Sequence, residues 1–362
     1  MMTKKKVISV VGARPQFIKL APLSRALSKA FRHTIVHTGQ HYDTNMSAVF
    51  FRQLGIPQPN HNLCVRGSSH GDMTGRMLVK LEKAYEKEKP AFVLVYGDTN
   101  TTLAAALASA KMAIPVGHVE AGMRSHVDHM PEEINRRVVD HVSHLLFCPT
   151  KSAVNNLKAE GIRKKIIHAG DLMFELLDQS GKAVVNNRRL LAKYGLEERS
   201  YLYLTFHRAA NVDNRTNLQQ MIESITCQPF PILFPIHPRT RARLAEFKLI
   251  HGLKARDNTF LVEPLNYLDN LAAVRFARAV LTDSGGLQKE ALFLGTPVLT
   301  LREETEWQET LSMGNRLVGL DKNKISEALE SPPRVKVIEY RVGGRKPSQI
   351  IVSELSRFLG GG

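Results

Sequence analysis

Val7-Ile8-Ser9-Val10-Val11-Gly12-Ala13-Arg14-Pro15-Gln16-Phe17-Ile18-Lys19 opens the periodic part of this 362-residue chain. Val7–Ala13 is an almost unbroken apolar run of strand length, the pattern of a parallel strand buried on both faces. Gly12 permits a tight turn, Pro15 suits the first turn of a helix, and a helical stretch follows around Gln16–Ala30. The spacing is not that of a dinucleotide fingerprint, because G-x-G-x-x-G is absent.

The same alternation extends outward from this unit. It predicts strands at Thr34–Thr38, Phe92–Tyr96, Val116–Val119 and Leu145–Cys148, with helices near Asn45–Leu54, Gly71–Lys89, Thr102–Lys111 and Glu132–His144. Met73, Met77, Leu81 and Tyr85 recur every fourth residue, an amphipathic stripe that reads as core. From about Gly170 to Ser200 the pattern loosens into polar helical sequence, read as a passage between domains. It then restarts with strands at Tyr201–Phe206, Pro231–Ile236, Thr259–Val262, Ala279–Thr282 and Pro297–Leu301. The expectation is an α/β protein of two doubly wound parallel-sheet domains, at 1–172 and 173–346. A helical tail at 347–362 could pack back on the N-terminal domain.

Composition narrows the function classes. Hydrophobic content of 43% and charged content of 23% are ordinary for a folded soluble protein. Val7–Val11 is too short for a signal-peptide core or a membrane span, so a cytoplasmic enzyme without stable membrane insertion is expected. Cys64, Cys148 and Cys227 show no metal spacing, and no metal site is expected. The net charge of +16 comes from scattered residues without interleaved aromatic side chains, which argues against nucleic-acid binding.

Ligands of open α/β sheets bind beyond the carboxyl ends of the strands. After the first strand, Arg14 stands beside a helix N-terminus, where it and backbone N–H groups can face an anion, and Lys19 follows one turn later. After later strands come Gly97-Asp98-Thr99 and His118-Val119-Glu120-Ala121-Gly122. If those strands are neighbours, Asp98 and Glu120 are roughly 5 to 10 Å apart, close enough to separate one proton donor from one acceptor. The simpler use of Asp98 is a helix N-cap, which Thr99 could supply equally well. Glu132 and Glu133 open another helix, where negative charge is favourable in any case.

In the second half, His207-Arg208 and His237-Pro238-Arg239 follow strands. Asp283-Ser284-Gly285-Gly286 follows another and runs into a helix, a preorganised phosphate site that lacks the lysine of a Walker loop. Glu290 lies one or two turns further on, where it could bind ribose hydroxyls.

Taken together and in order, these motifs resemble the non-hydrolysing UDP-N-acetylglucosamine 2-epimerases. The resemblance spans nearly the whole chain: Gly12-Ala13-Arg14-Pro15…Lys19, His37-Thr38-Gly39-Gln40-His41-Tyr42, His70-Gly71…Thr74-Gly75-Arg76, Gly97-Asp98-Thr99, His118–Gly122, Pro131-Glu132-Glu133…Asn135-Arg136, His207-Arg208 and Asp283–Gly286. It implies a GT-B architecture of two Rossmann-like domains with a nucleotide-sugar cleft between them, usually as a homodimer. It also implies no metal and no cofactor. The implied reaction interconverts UDP-N-acetylglucosamine and UDP-N-acetylmannosamine for surface polysaccharide precursors. A carboxylate takes the C2 proton as UDP leaves C1, and UDP re-adds after protonation on the other face. By the same resemblance Asp98, Glu120 and Glu132 supply acid/base functions, and Lys19 and His207 support catalysis. Arg14, Arg136, His237, Ser284, Gly285, Gly286 and Glu290 bind the UDP-sugar.

Two positions depart from the family. Gln16 and Ala210 stand where many members carry Glu. Residues 13–17 and Arg302-Glu303-Glu304-Thr305-Glu306-Trp307 resemble the branch acting on UDP-2,3-diacetamido-2,3-dideoxy-glucuronate, an alternative substrate. A GT-B glycosyltransferase is a further alternative, against which the clustered carboxylates argue.

Overall fold

The computed structural model describes residues 4–40, 50–254, 256–336 and 339–360. It divides into two compact units, one made of the chain through Leu176 and from Tyr340 onward, the other of Leu177–Glu339.

The first unit holds a seven-stranded, all-parallel sheet of β1 (Lys6–Val11), β2 (Arg32–His37), β3 (His61–Asn62), β4 (Phe92–Tyr96), β5 (Val116–Val119), β6 (Leu145–Cys148) and β7 (Lys165–His168), in the spatial order β3-β2-β1-β4-β5-β6-β7. The expected strands are present, and β4, β5 and β6 are buried along their whole length. The sequence reading missed β3 and β7. β3 is two residues long, and β7 is a half-exposed edge strand without a clean apolar run. Of the helix expected at Asn45–Leu54, residues 50–53 are helical and 45–49 lie outside the described residues.

The second unit repeats the plan with β8 (Leu202–Thr205), β9 (Ile232–Pro235), β10 (Thr259–Val262), β11 (Ala279–Thr282), β12 (Val298–Thr300) and β13 (Asn315–Leu317). Their order, β10-β9-β8-β11-β12-β13, is the doubly wound 3-2-1-4-5-6 arrangement. Its core gathers Leu204, Phe234, Leu281 and Leu299 from the strands and Phe206 just after β8, with Met221, Ile225, Ile325 and Leu329 from flanking helices. β13, Asn-Arg-Leu, carried too little apolar signal to be expected.

The unit boundaries fall at 176/177 and 339/340 rather than at 172/173 and 346/347. The helix Leu172–Val185 begins in the first unit and runs on into the second, and its first turn is anchored by Glu175. Buried Glu175 accepts hydrogen bonds from the backbone N–H (2.9 Å) and hydroxyl (2.7 Å) of Ser348, at the start of the C-terminal helix Pro347–Gly360. A carboxylate at a helix N-terminus also complements the helix dipole. That helix packs along the helix Arg14–Ala30, sets Phe358 edge-on to Phe92 at 5.4 Å between ring centres, and pairs Glu354 with Lys165 at 2.5 Å.

In both units the strand order reverses beside the first strand, between β1 and β4 and between β8 and β11. A doubly wound sheet offers its ligand site at such points. Gly12–Arg14 and Gly97–Asp98 leave the first one, and His207–Arg208 and Asp283–Gly286 leave the second.

Candidate active-site residues

In the first unit, β4 pairs with β5 so that Tyr96 stands opposite Val119. Asp98 and Glu120 therefore leave adjacent strand ends, as the conditional reading of the sequence required. Asp98 is not the cap of the next helix. Thr99 caps it by accepting the N–H of Thr102, which leaves the Asp98 side chain for other work. The Asp98 carboxylate takes a charge-assisted bond from Arg136 (2.5 Å), while Asn135 donates to its carbonyl (2.8 Å).

Glu120 adopts the left-handed backbone region, with φ +73°. Such a conformation costs a non-glycine residue about 1–3 kcal/mol, and strain of this kind clusters at functional sites. It turns the carboxylate to within 3.0 Å of Lys19 Nζ. Burial of Lys19 disfavours its charge, but Glu120, Asp171 and Asp98 outweigh that and raise its pKa above the ordinary 10.5. Lys19 is thus a fixed cation at neutral pH and no proton acceptor. Gly97, with φ +63°, has its Cα hydrogen side towards both Lys19 Nζ and Glu120 Oε1, 3.8 and 3.9 Å from where a Cβ would stand.

The paired glutamates of the helix Pro131–Val142 separate clearly. Glu132 is exposed. Glu133 is fully buried, accepting from Ser125 N–H (2.9 Å), Ser125 hydroxyl (3.1 Å) and Arg136 (2.8 Å). Burial raises the Glu133 pKa, yet these donors outweigh it and hold the carboxyl below its ordinary range. Arg136 thereby bridges Glu133 and Asp98. The sequence reading missed both Glu133 and Asp171. The i, i+3 spacing of Glu133 and Arg136 was a usable signal for the first. Asp171 carried none, since it acts on Lys19 from 152 residues further along the chain.

Gln16 is explained by its bonds. Its Oε1 accepts the N–H groups of Gly12 (2.7 Å) and Ala13 (3.0 Å), and its Nε2 donates to the Tyr96 carbonyl and the Thr102 hydroxyl, both at 3.0 Å. An ionised Glu could accept the first pair but not donate the second. Gln16 therefore ties the β1 turn to the β4 turn. Gly12 is required there because a Cβ would lie 2.1 Å from Thr38 Oγ1. Arg14 lies half-buried over the ring of Phe50, 4.7 Å from its centre. Of the motif residues Gln40–Tyr42 and Arg76, Gln40 accepts from Thr101 and Arg76 pairs with Asp72, while His41 and Tyr42 lie outside the described residues.

The second unit's strand ends have a different chemistry. Asp283 faces inward and fully buried, accepting the N–H groups of His207 (3.1 Å) and Arg208 (2.9 Å) and the amide of Asn211 (2.9 Å). Its charge holds the β8 turn in shape and is not part of an anion grip. Ser284 caps the helix Gly285–Phe293 by accepting the N–H of Leu287. The first N–H groups of any helix lack intrahelical partners, so Gly285 and Gly286 begin an anion-favouring helix end. Gly286 is exposed and Glu290 is buried.

Glu306, from the loop after β12, packs so closely on Gly285 that a Cβ there would stand 2.2 Å from its carboxylate oxygen. Burial works against its charge, but Arg302 (2.8 Å) and Arg208 (3.4 Å) prevail and depress its pKa. Lys289 lies over the Trp307 ring at 3.3 Å. His207 and His237 stack with ring centres 4.8 Å apart. His237 also accepts the Arg239 N–H through Nδ1 (3.2 Å), which fixes the proton of its neutral form on Nε2. Among the described residues, no group of three or more His, Cys, Asp or Glu could hold a metal ion, and no helix is long and apolar enough to cross a membrane.

A family model described as UDP-N-acetylglucosamine 2-epimerase matches residues 25–338. The chain belongs to this family. A UDP-N-acetylglucosamine 2-epimerase homolog of Methanococcus maripaludis is 46% identical over 97% of this chain and 99% of its own. A UDP-2,3-diacetamido-2,3-dideoxy-D-glucuronate 2-epimerase of Pseudomonas aeruginosa is 44% identical over 89% of this chain and 91% of its own. The crystal structure of the Methanocaldococcus jannaschii UDP-GlcNAc 2-epimerase, in complex with UDP-GlcNAc and UDP, matches with a TM-score of 0.88 at 42% identity, covering 99% of this chain and 100% of that one. The family resemblance read from the motifs is borne out, as is the GT-B class with its two parallel-sheet domains.

Proposed function

We propose that this member of the epimerase family interconverts UDP-N-acetylglucosamine and UDP-N-acetylmannosamine without hydrolysis. The observation that carries the proposal is the pair of carboxylates, Asp98 and Glu120, on adjacent strand ends, each matched to a cation that stays charged at neutral pH. One carboxylate takes the C2 proton while the C1–O bond breaks and its electrons leave with UDP. The result is a 2-acetamidoglucal. Protonation at C2 from the opposite face and re-attack of UDP at C1 complete the inversion.

The C2 proton is weakly acidic, so the reaction depends on stabilising charge as it develops on departing UDP. In this reading Arg14, His207 and the Ser284–Gly286 helix start supply that stabilisation. Arg136 orients Asp98, Lys19 holds Glu120, and Glu132 completes the acid/base set. His237 and Glu290 bind the nucleotide. A homodimer in the cytoplasm belongs to the same reading, and light scattering checks the first.

The diacetamido-glucuronate is the second substrate reading. It is favoured by the Arg302–Trp307 segment, in which Arg302 pairs with Glu306 while Glu306 and Trp307 pack against Gly285 and Trp307 lies under Lys289, and by the Pseudomonas relative. Offering each UDP-sugar to the protein in deuterated water and following it by proton NMR separates the two. Deuterium should enter at C2 of the true substrate with the UDP-sugar conserved. Release of free UDP in step with product would overturn the non-hydrolysing reading.

A further inference from the structure

Behind the Asp98 and Glu120 turns lies a buried cluster that the proposed chemistry does not use. His118, in the middle of β5, and Asp140, on the helix Pro131–Val142, are both fully buried. His118 Nδ1 lies 2.7 Å from Asp140 Oδ1, and Nε2 lies 2.8 Å from the carbonyl oxygen of Gly97. A carbonyl only accepts hydrogen bonds, and so does a carboxylate. Neutral imidazole has one ring proton and cannot satisfy both neighbours.

Burial works against the charge of Asp140, but His118 and Arg124 outweigh it and hold the carboxyl below its ordinary range, so it stays an acceptor. The other oxygen of Asp140 meets Arg124 (2.8 Å) and the N–H of Gly122 (3.2 Å). Arg124 in turn makes a bidentate pair with Glu160 at 2.6 and 2.7 Å. Glu160 is exposed to solvent, so the demand on His118 comes from its two buried acceptors, the Asp140 carboxylate and the Gly97 carbonyl. A second ring proton on His118 satisfies both ring nitrogens. Nearby Cys148 does not alter the balance, because burial pushes its thiol up and keeps it neutral.

We propose that His118 donates from both ring nitrogens and, with Asp140, forms a strut setting the spacing of the Asp98 and Glu120 turns. One end of the strut holds the Gly97 carbonyl, immediately before Asp98. The other, through Asp140, holds the N–H of Gly122, two residues after Glu120. Gly97 is further fixed by its own N–H, which donates to Val119 at 2.9 Å. Gly97 and Gly122 take positive φ (+63° and +80°) without strain, whereas Glu120, at φ +73°, is held in the left-handed region against its intrinsic preference. His118 and Asp140 are positioning residues, since they act through backbone groups and touch no substrate.

The strut rests on the proposed epimerase reading only for its effect on turnover, and the test separates the two. Nitrogen-15 NMR of selectively labelled histidine in the intact protein should show two slowly exchanging ring protons on His118. A single ring proton would overturn the proposal whatever reaction the protein catalyses. Asp140→Asn should remove one of those protons. It should also lower kcat about 10²-fold in fully folded protein, the scale of an ångström misplacement, with KM within about twofold. A loss of kcat only in proportion to unfolded protein, with kcat per folded molecule unchanged, would also overturn it. Should Asp140→Asn fail to fold, the wild-type spectrum decides alone.

Discussion

The two units share one topology and present opposite chemistry at their strand ends. In the first, carboxylates face outward under cations. Asp98 meets Arg136 and Glu120 meets Lys19. In the second, the carboxylates are withdrawn. Asp283 is spent on the backbone of the His207 turn, and Glu306 lies buried between Arg302 and Arg208. What remains on offer there is a helix N-terminus, two stacked histidines and guanidinium groups. A doubly wound sheet supplies the place for a ligand, and the residues after its strands decide whether that place moves protons or holds phosphate.

Lys19→Met attacks the first half through a supporting cation. Removing a preorganised cation should lower turnover about 10²–10³-fold, measured as C2 exchange, with UDP affinity nearly unchanged. Because the neighbouring carboxylates raise its pKa, Lys19 should add no limb to the wild-type pH–rate profile below pH 10.5.

Gly285→Ala attacks the second half. Its Cβ meets the Glu306 carboxylate at the helix start. Overpacking of this kind costs about 2 kcal/mol, which should appear as roughly 30-fold weaker UDP binding by calorimetry. C2 exchange at saturating substrate should fall far less than in Lys19→Met.

Glu133→Gln sharpens the contrast through stability, with an expected loss of about 1.5 kcal/mol in urea unfolding at neutral pH. Its folded pKa is depressed, so the carboxylate's contribution is fully present above the unfolded value of 4.5 and is lost as pH falls through the lower folded value. The gap between wild type and variant should therefore narrow in acid. Glu175→Gln, at the start of the C-terminal helix, should cost about 1 kcal/mol and leave C2 exchange intact.

Most of the fold could be read because buried parallel strands are short apolar runs, and those runs end at the turns that carry polar residues. Val7–Ala13, Phe92–Tyr96 and Ala279–Thr282 behaved in this way. β3, β7 and β13 did not, being short or half-exposed. Residues immediately after strands were legible for the same reason, which is why Asp98, Glu120, His207 and Ser284 could be singled out as candidates. Their supports were not, since Gln16 bonds residues 80 and 86 positions away and Lys19 answers to Asp171. Asp283 was misread as part of the phosphate grip because sequence cannot show which way a side chain leaves a strand end. Asp140 was readable in principle, as a charged residue on the buried stripe of its helix beside Arg136 and Val139. The histidine within the apolar strand Val116–Val119 was its partner signal.

The central claim is that the first unit moves the C2 proton and the second holds the nucleotide. Asp98→Asn and Glu120→Gln, each measured for C2 deuterium exchange and for UDP affinity on the same preparation, test it most directly. Exchange should fall by about 10²–10⁴-fold in both variants, with UDP affinity within about twofold of wild type. Wild-type exchange in both variants, or a loss of UDP affinity that matches the loss of exchange, would contradict the account.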